Sequence, residues 1–138
     1  MDDILEKVHE AGLTLKAGCG IGYSFSTLRP KGAFVAGAGA YTLGSLSFMD
    51  IYDKMCFTVS SAGGRRGAQM ATFDVGHLDV LDFIRAKRED GRLRQFNLSL
   101  LVTQEFIESV KTDGKWKLAF PVTEKEVKID NIDIYNPD

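Results

Sequence analysis

Most of the 14 glycines in this 138-residue chain fall between residues 18 and 76, and that bunching constrains the fold more than any other feature. Glycine is costly to order, so a dense run of it marks backbone that must take unusual dihedrals or approach something closely. Gly18, Gly20, Gly22, Gly32, Gly37, Gly39 and Gly44, together with Pro30, interrupt residues 18–44 and leave no helical period there. That stretch reads as a strand or turn followed by a long loop. A second glycine-rich loop, SSAGGRRGAQ, occupies residues 60–69. Between the loops, Phe48, Ile51, Tyr52, Met55, Cys56 and Val59 predict a helix over Ser47 to Val59 that is apolar nearly all round. Such a helix packs on more than one side.

The flanking segments fill in the fold class. Ile4, Leu5, Val8, Gly12 and Leu15 form one stripe of a helix from Asp2 to Ala17, with acidic residues at its start and Gly18 at its stop. Met70 to Val75 has strand character. Leu78 to Lys87 reads as a helix with Leu78, Val80, Leu81 and Ile84 inward. FNLSLLV at 96–102 is the near-continuous apolar run of a strand buried on both faces. Thr103 suits the cap of a short helix through Lys111, and Trp116 to Val122 reads as a further strand. Strands alternating with helices predict an α/β or α+β fold. Four or five such strands need neighbours along their edges, which is natural for part of a larger sheet or barrel.

Composition excludes several classes. A formal net charge of -2 provides no field for nucleic acid, and no apolar run is long enough to span a bilayer. The acidic N-terminus lacks a signal-peptide pattern, so the chain is expected to be cytoplasmic. Two cysteines (Cys19, Cys56) and two histidines (His9, His77) are too scattered for a metal site, and free thiols are expected. The Gly18-Cys19-Gly20-Ile21-Gly22 cluster is not a dinucleotide fingerprint, because its third glycine comes one position early and it follows a helix.

The second loop carries the sharper chemistry. Gly63, Gly64 and Gly67 bracket Arg65 and Arg66, joining backbone able to approach an anion to guanidinium forks that match phosphate oxygens. Arg29, Lys31 and Gly32 repeat the theme in the first loop. Two such loops flanking one helix suggest a nucleotide or anion site.

Four segments in order, GIGYSFSTLRPKG, SLSFMDIYD, AGGRRGAQMATFDVGHLDVLDFIRAK and FNLSLLVT, resemble the ribonucleotide reductase large subunit, most closely its adenosylcobalamin-dependent class. The resemblance runs from about Asp2 to Pro121, and the last fifteen residues match nothing. It implies part of a ten-stranded α/β barrel, with the two N-terminal helices forming a helix-bundle contact in a homodimer. Residues 24–41 match a loop that binds a deoxynucleotide or ATP effector through Arg29, with Lys31 and Gly32 beside it. Residues 60–69 match the loop between effector and ribonucleotide substrate, with Arg65 toward the substrate and Arg66 following. Gly20 and Gly22 match backbone lining the substrate region.

The departures define what the chain lacks. The family's thiyl cysteine, in an N-L-C-x-E-I-like segment, and its redox cysteine pair have no match here. The resemblance places the first redox cysteine before Met1 and the thiyl cysteine beyond Asp138, with an effector-binding acid just ahead of the first residue. Cys19 and Cys56 match no catalytic position. The chain is therefore expected to be a single fragment of the barrel domain: effector helices and loops at 1–69, barrel elements at 70–122, a tail at 123–138. Adenosylcobalamin would serve the full-length enzyme and not be bound by this fragment alone. The alternative is a non-catalytic nucleotide-binding or regulatory module derived from the reductase. His77 is expected to cap a helix or lie at the surface, His9 to be solvated, Trp116 to be a core or edge aromatic, and Asn97 to be a buried amide needing partners.

Overall fold

The computed structural model describes residues 1–62, 67–88 and 91–121. In chain order they form α1 (Asp2–Lys16), β1 (Ile21–Ser24), a hairpin of β2 (Phe34–Val35) and β3 (Ala40–Tyr41), α2 (Ser45–Ala62), β4 (Gln69–Asp74), α3 (Val80–Arg85) with a 3-10 turn at Ala86–Arg88, β5 (Phe96–Leu101) and α4 (Gln104–Lys111). The mixed α/β class is the expected one. A three-stranded parallel sheet has the order β1-β4-β5, so β4 is central and each neighbour is reached through a helical crossover.

Local signals explain most boundaries. α1 ends where Gly18 takes a φ of +79°; the amide of Cys19 donates to Thr14 O and that of Gly18 to Leu15 O, the paired bonds of a Schellman stop. Thr103 caps α4 by accepting from the Phe106 amide at 3.3 Å. The first loop is more ordered than its composition suggests. The β2–β3 hairpin stands within it, held at its root by Gly32 N–H to Thr42 O at 2.9 Å and Thr42 N–H to Ala33 O at 2.8 Å.

The helices cover one face of the sheet. Gln69, Ala71 and Phe73 of β4 point into it beside Phe96 of β5, with Met49 and Tyr52 of α2 and Val80 and Phe83 of α3. Phe73 and Phe83 stack with centroids 4.7 Å apart and an 11° tilt. Burying each such ring stabilises the fold by about 2–3 kcal/mol.

Several expectations are corrected. β5 is buried on one face only: Phe96 is buried and Leu98 and Leu100 pack on the core, but Asn97 and Leu101 are exposed. Asn97 is thus not a buried amide. α3 starts two residues later than predicted, and its buried stripe is Val80, Phe83 and Ala86, with Leu81 and Ile84 outward. In α1, Leu5 is exposed while Ala11 joins Leu15 in the core. The strand expected from Trp116 is absent over the described residues 116–121, whose ties to the fold include Ala119 N–H to Gly76 O, the Trp116 indole N–H to Val75 O and the packing of Leu118 on the core. Val122 and the tail lie outside the described residues.

Candidate functional site

The two loops expected to share one anion site sit at opposite ends of α2. The first enters α2 at Ser45; the second leaves it after Ala62. Eighteen helical residues at about 1.5 Å each separate the loop bases by about 27 Å. One copy of the chain does not bring both bases to one small ligand.

The base of the first loop is built around the turn that follows β4. Asp79, only 7% exposed, accepts from the Lys31 amide at 3.0 and 3.1 Å and from the Ser45 amide at 3.3 Å. Its carboxylate therefore lies at the positive end of α2, where a negative charge is favoured. His77, also buried, accepts the Asp79 amide on Nδ1 at 3.0 Å, and so its Nε2–H donates to Leu28 O at 2.8 Å. The expected cap or surface residue is a buried clamp; His9, by contrast, is exposed as anticipated. Ser26 Oγ accepts from the Asp74 amide at 2.9 Å. Arg29 is half-buried between these anchors, the Lys31 side chain is exposed, and Gly32 has a φ of +83° that turns the chain into the hairpin. A cleft of about 460 Å³ beside them is lined by Lys31, Ser47, Asp79, Asp82, Arg85 and Arg92, among others. Arg85 carries no loop signature; Arg92 belongs to the charged run 87–94, which the sequence suggests as a solvated turn, and it is paired with Asp50 at 3.3 Å.

At the other end, Ser60 Oγ accepts from the Gly67 amide at 3.0 Å. A Cβ on Gly67 would come within 2.7 Å of Leu15 Cδ2 and 3.0 Å of Ser60 Oγ, so the base of the second loop closes against α1. Gly20 adjoins it, since Ile21 N–H donates to Ala68 O at 3.0 Å. Gly63, Gly64, Arg65 and Arg66 lie outside the described residues.

Gly22 stands on the sheet face away from the helices. There the register aligns Gly22 with Met70 and Asn97, and Ser24 with Thr72 and Ser99, a small and mostly polar surface. On the covered side a partly buried chain of hydrogen bonds links the elements: Tyr23 OH donates to Gln69 Oε1 at 2.7 Å, Gln69 Nε2 to Tyr52 O at 3.3 Å, and Tyr52 OH to Ile4 O at 3.2 Å. Burial pushes the Tyr23 and Tyr52 phenols above their ordinary value and does the same to the Cys56 thiol. Both thiols are free, Cys19 exposed and Cys56 buried. No cluster of three or more His, Cys, Asp or Glu side chains suited to a metal ion occurs among the described residues.

The comparisons with known proteins bear on this geometry. The sequence profile of the ribonucleotide reductase barrel domain matches residues 1–133. The chain belongs to the ribonucleotide reductase barrel-domain family. The match continues past Pro121 into the tail, where sequence reading found no likeness. Vitamin B12-dependent ribonucleoside-diphosphate reductase of Mycobacterium tuberculosis (strain CDC 1551 / Oshkosh) is 42% identical over 128 residues, covering 92% of this chain and 18% of that protein. The protein of the same name from Thermoplasma acidophilum is 36% identical over 93% of this chain and 17% of its own length. Ribonucleoside-diphosphate reductase subunit alpha of Helicobacter pylori (strain ATCC 700392 / 26695) is 30% identical over 92% and 17%. The chain thus spans less than a fifth of these relatives. No helix among the described residues is long and apolar enough to cross a membrane.

Proposed function

We propose that this chain is the nucleotide-reading segment of a ribonucleotide reductase, an enzyme that reduces ribonucleotides to deoxyribonucleotides by radical chemistry. It supplies the effector loop, with Arg29, Lys31 and Gly32, and the substrate loop, with Gly63, Gly64, Arg65, Arg66 and Gly67. Gly20 and Gly22 offer backbone at the substrate. The chemistry of the catalytic cysteines belongs to other parts of such an enzyme. Residues 1–69 act as the effector half and residues 70–122 as barrel wall.

The observation that carries this reading is the placing of the two loop bases at the two ends of an apolar helix with an uncovered face. Ile51 is 41% and Phe57 52% exposed on α2, and Leu5 and Leu13 stand out on α1. A shallow groove lined by Ile51, Met55 and Val59, among others, runs along α2. A second copy of the chain, related by a two-fold axis across α2, covers that face with its own α2 running antiparallel. The first loop of one copy then lies near the second loop of its partner, and the effector bridges the two. The bare row of Gly22, Met70 and Asn97 faces the barrel interior.

The cofactor we assign to the complete reductase is adenosylcobalamin, because two relatives bear the name vitamin B12-dependent. The described residues of this chain do not fit it. Both ring nitrogens of His77 are engaged, and His9 stands on the exposed side of α1. No step of this chain's own chemistry runs through the cofactor.

Calorimetry of the full-length protein with dATP, dTTP and dGTP tests the reading. At least one should bind, and Arg29→Ala should weaken it about tenfold or more, the loss of a charge-assisted phosphate contact. Absence of binding by all three nucleotides, or tight binding indifferent to Arg29→Ala, would contradict it.

A further inference from the structure

We propose that Asp79, oriented by His77, is a positioning residue that ties the two loops into one closed mechanical ring; this rests on the nucleotide-reading function above. The ring can be followed residue by residue. From Ser26 the first loop runs to Ser45, which opens α2. α2 runs to Ser60, whose hydroxyl holds the Gly67 amide across the second loop. β4 follows from Gln69 to Asp74, whose amide returns to Ser26 Oγ at 2.9 Å. The turn after β4 closes the circuit: His77 holds Leu28 O, and Asp79 holds the amides of Lys31 and Ser45 together.

Asp79 grips the first loop at two separated points, Lys31 within it and Ser45 where it enters α2. Its grip leaves no spare room: a Cβ on Gly44 would lie 2.9 Å from Lys31 Cβ, 3.0 Å from Lys31 Cα and 3.0 Å from Asp79 Oδ2, and Gly44 has a φ of +93°. Ser45 Oγ is buried with no hydrogen-bond partner among the described residues, so what Ser45 contributes here is its amide. A shift of Lys31 when a nucleotide binds beside it must strain the carboxylate that also fixes the first turn of α2. α2 is rigid and carries the displacement to Ser60 and Gly67. Contiguous hydrogen-bonded elements of this kind are a physical route for coupling, and direct variants decide whether they carry it.

The test uses the full-length protein and two substitutions. Asp79→Asn keeps the shape but turns a donor toward one of the two amides. Asp79→Ala removes the acceptor without setting a new group against either amide, and so decides the matter where Asp79→Asn does not fold. Ribonucleotide reduction is measured against dATP, dTTP and dGTP concentration, with hydrogen exchange at Lys31, Ser45 and Gly67. Both variants should keep effector-free turnover within about twofold and raise the half-response concentration about tenfold, within the usual range of coupling. They should also lose the nucleotide-induced protection of the Gly67 amide. An unchanged half-response and unchanged Gly67 protection would overturn the proposal, as would a parallel fall in effector-free turnover, the mark of a merely structural residue. A wild-type protein indifferent to all three nucleotides would defeat the nucleotide-reading function instead. Exchange at Lys31 and Ser45 then still reports on the clamp: faster exchange in Asp79→Asn supports it, and equal exchange overturns it.

Discussion

The bases of the two loops are held in contrasting ways. The first loop ends on a buried carboxylate that accepts two backbone amides, braced by a histidine and a serine. Among the described residues, the second closes on neutral bonds, Gly67 N–H to Ser60 Oγ and Ile21 N–H to Ala68 O, and on the packing of Gly67 beneath Leu15. Hydrogen bonds to a charged group contribute about 1.5–3 kcal/mol each, against about 1 kcal/mol for a neutral one. Among the described residues, then, the charged anchor lies at the entry of α2 and a neutral one near its exit.

The sharpest way to break this comparison is to disturb each base in turn and measure stability by urea denaturation. Gly44→Ala should cost about 3 kcal/mol, combining a left-handed dihedral with a clash against the Lys31 backbone, which cannot swing aside. Ser60→Ala should cost about 1 kcal/mol, the loss of one neutral bond. Equal costs, or the reverse order, would erase the distinction between the two loops.

The smallest effect expected is an alkaline one, and it belongs to the core between the loops. Burial raises the Tyr23 and Tyr52 phenols above 10.0 and the Cys56 thiol above 9.0, so folding favours their neutral forms. The stability they contribute is fully present below those unfolded values and is lost as pH rises toward the folded ones. Tm should be flat across neutral pH and decline above about pH 9–10, with a shallower decline in Tyr23→Phe. A flat Tm to pH 11 would remove burial of these groups as a factor.

Much of the fold was legible where the signal was local. α1 announced itself through its stripe and Gly18, α4 through Thr103, and β4 and β5 through their apolar runs. The errors came where tertiary placement decided. Leu81 and Ile84 face outward because α3 packs on β4 through Val80 and Phe83. Asn97 surfaced because helices cover only one side of the three-stranded sheet. Trp116 found Val75 O and the ring of Phe106 in place of a strand neighbour. The candidate site is proposed from loops and arginines, through glycine clustering and family likeness, and Arg65 and Arg66 lie outside the described residues. Its framework was not legible: Asp79 meets Lys31 and Ser45 across 48 and 34 residues, and nothing in the DVGHLD segment marks that pairing. Nor did two loops flanking a helix reveal that the helix would hold their bases apart.

That separation makes the central claim directly testable, because on the proposed reading the effector site needs the first loop of one copy and the second loop of another. The decisive measurement is effector-stimulated ribonucleotide reduction by an equimolar mixture of two full-length proteins, Arg29→Ala lacking the effector contact and Arg65→Ala lacking the substrate contact, each deficient alone. Mixing should restore about a quarter of the wild-type stimulated rate, since half of randomly assorted dimers are mixed and each carries one intact loop pair. A mixture no more active than its two separate components would show that both loops act within one chain, and would contradict the account.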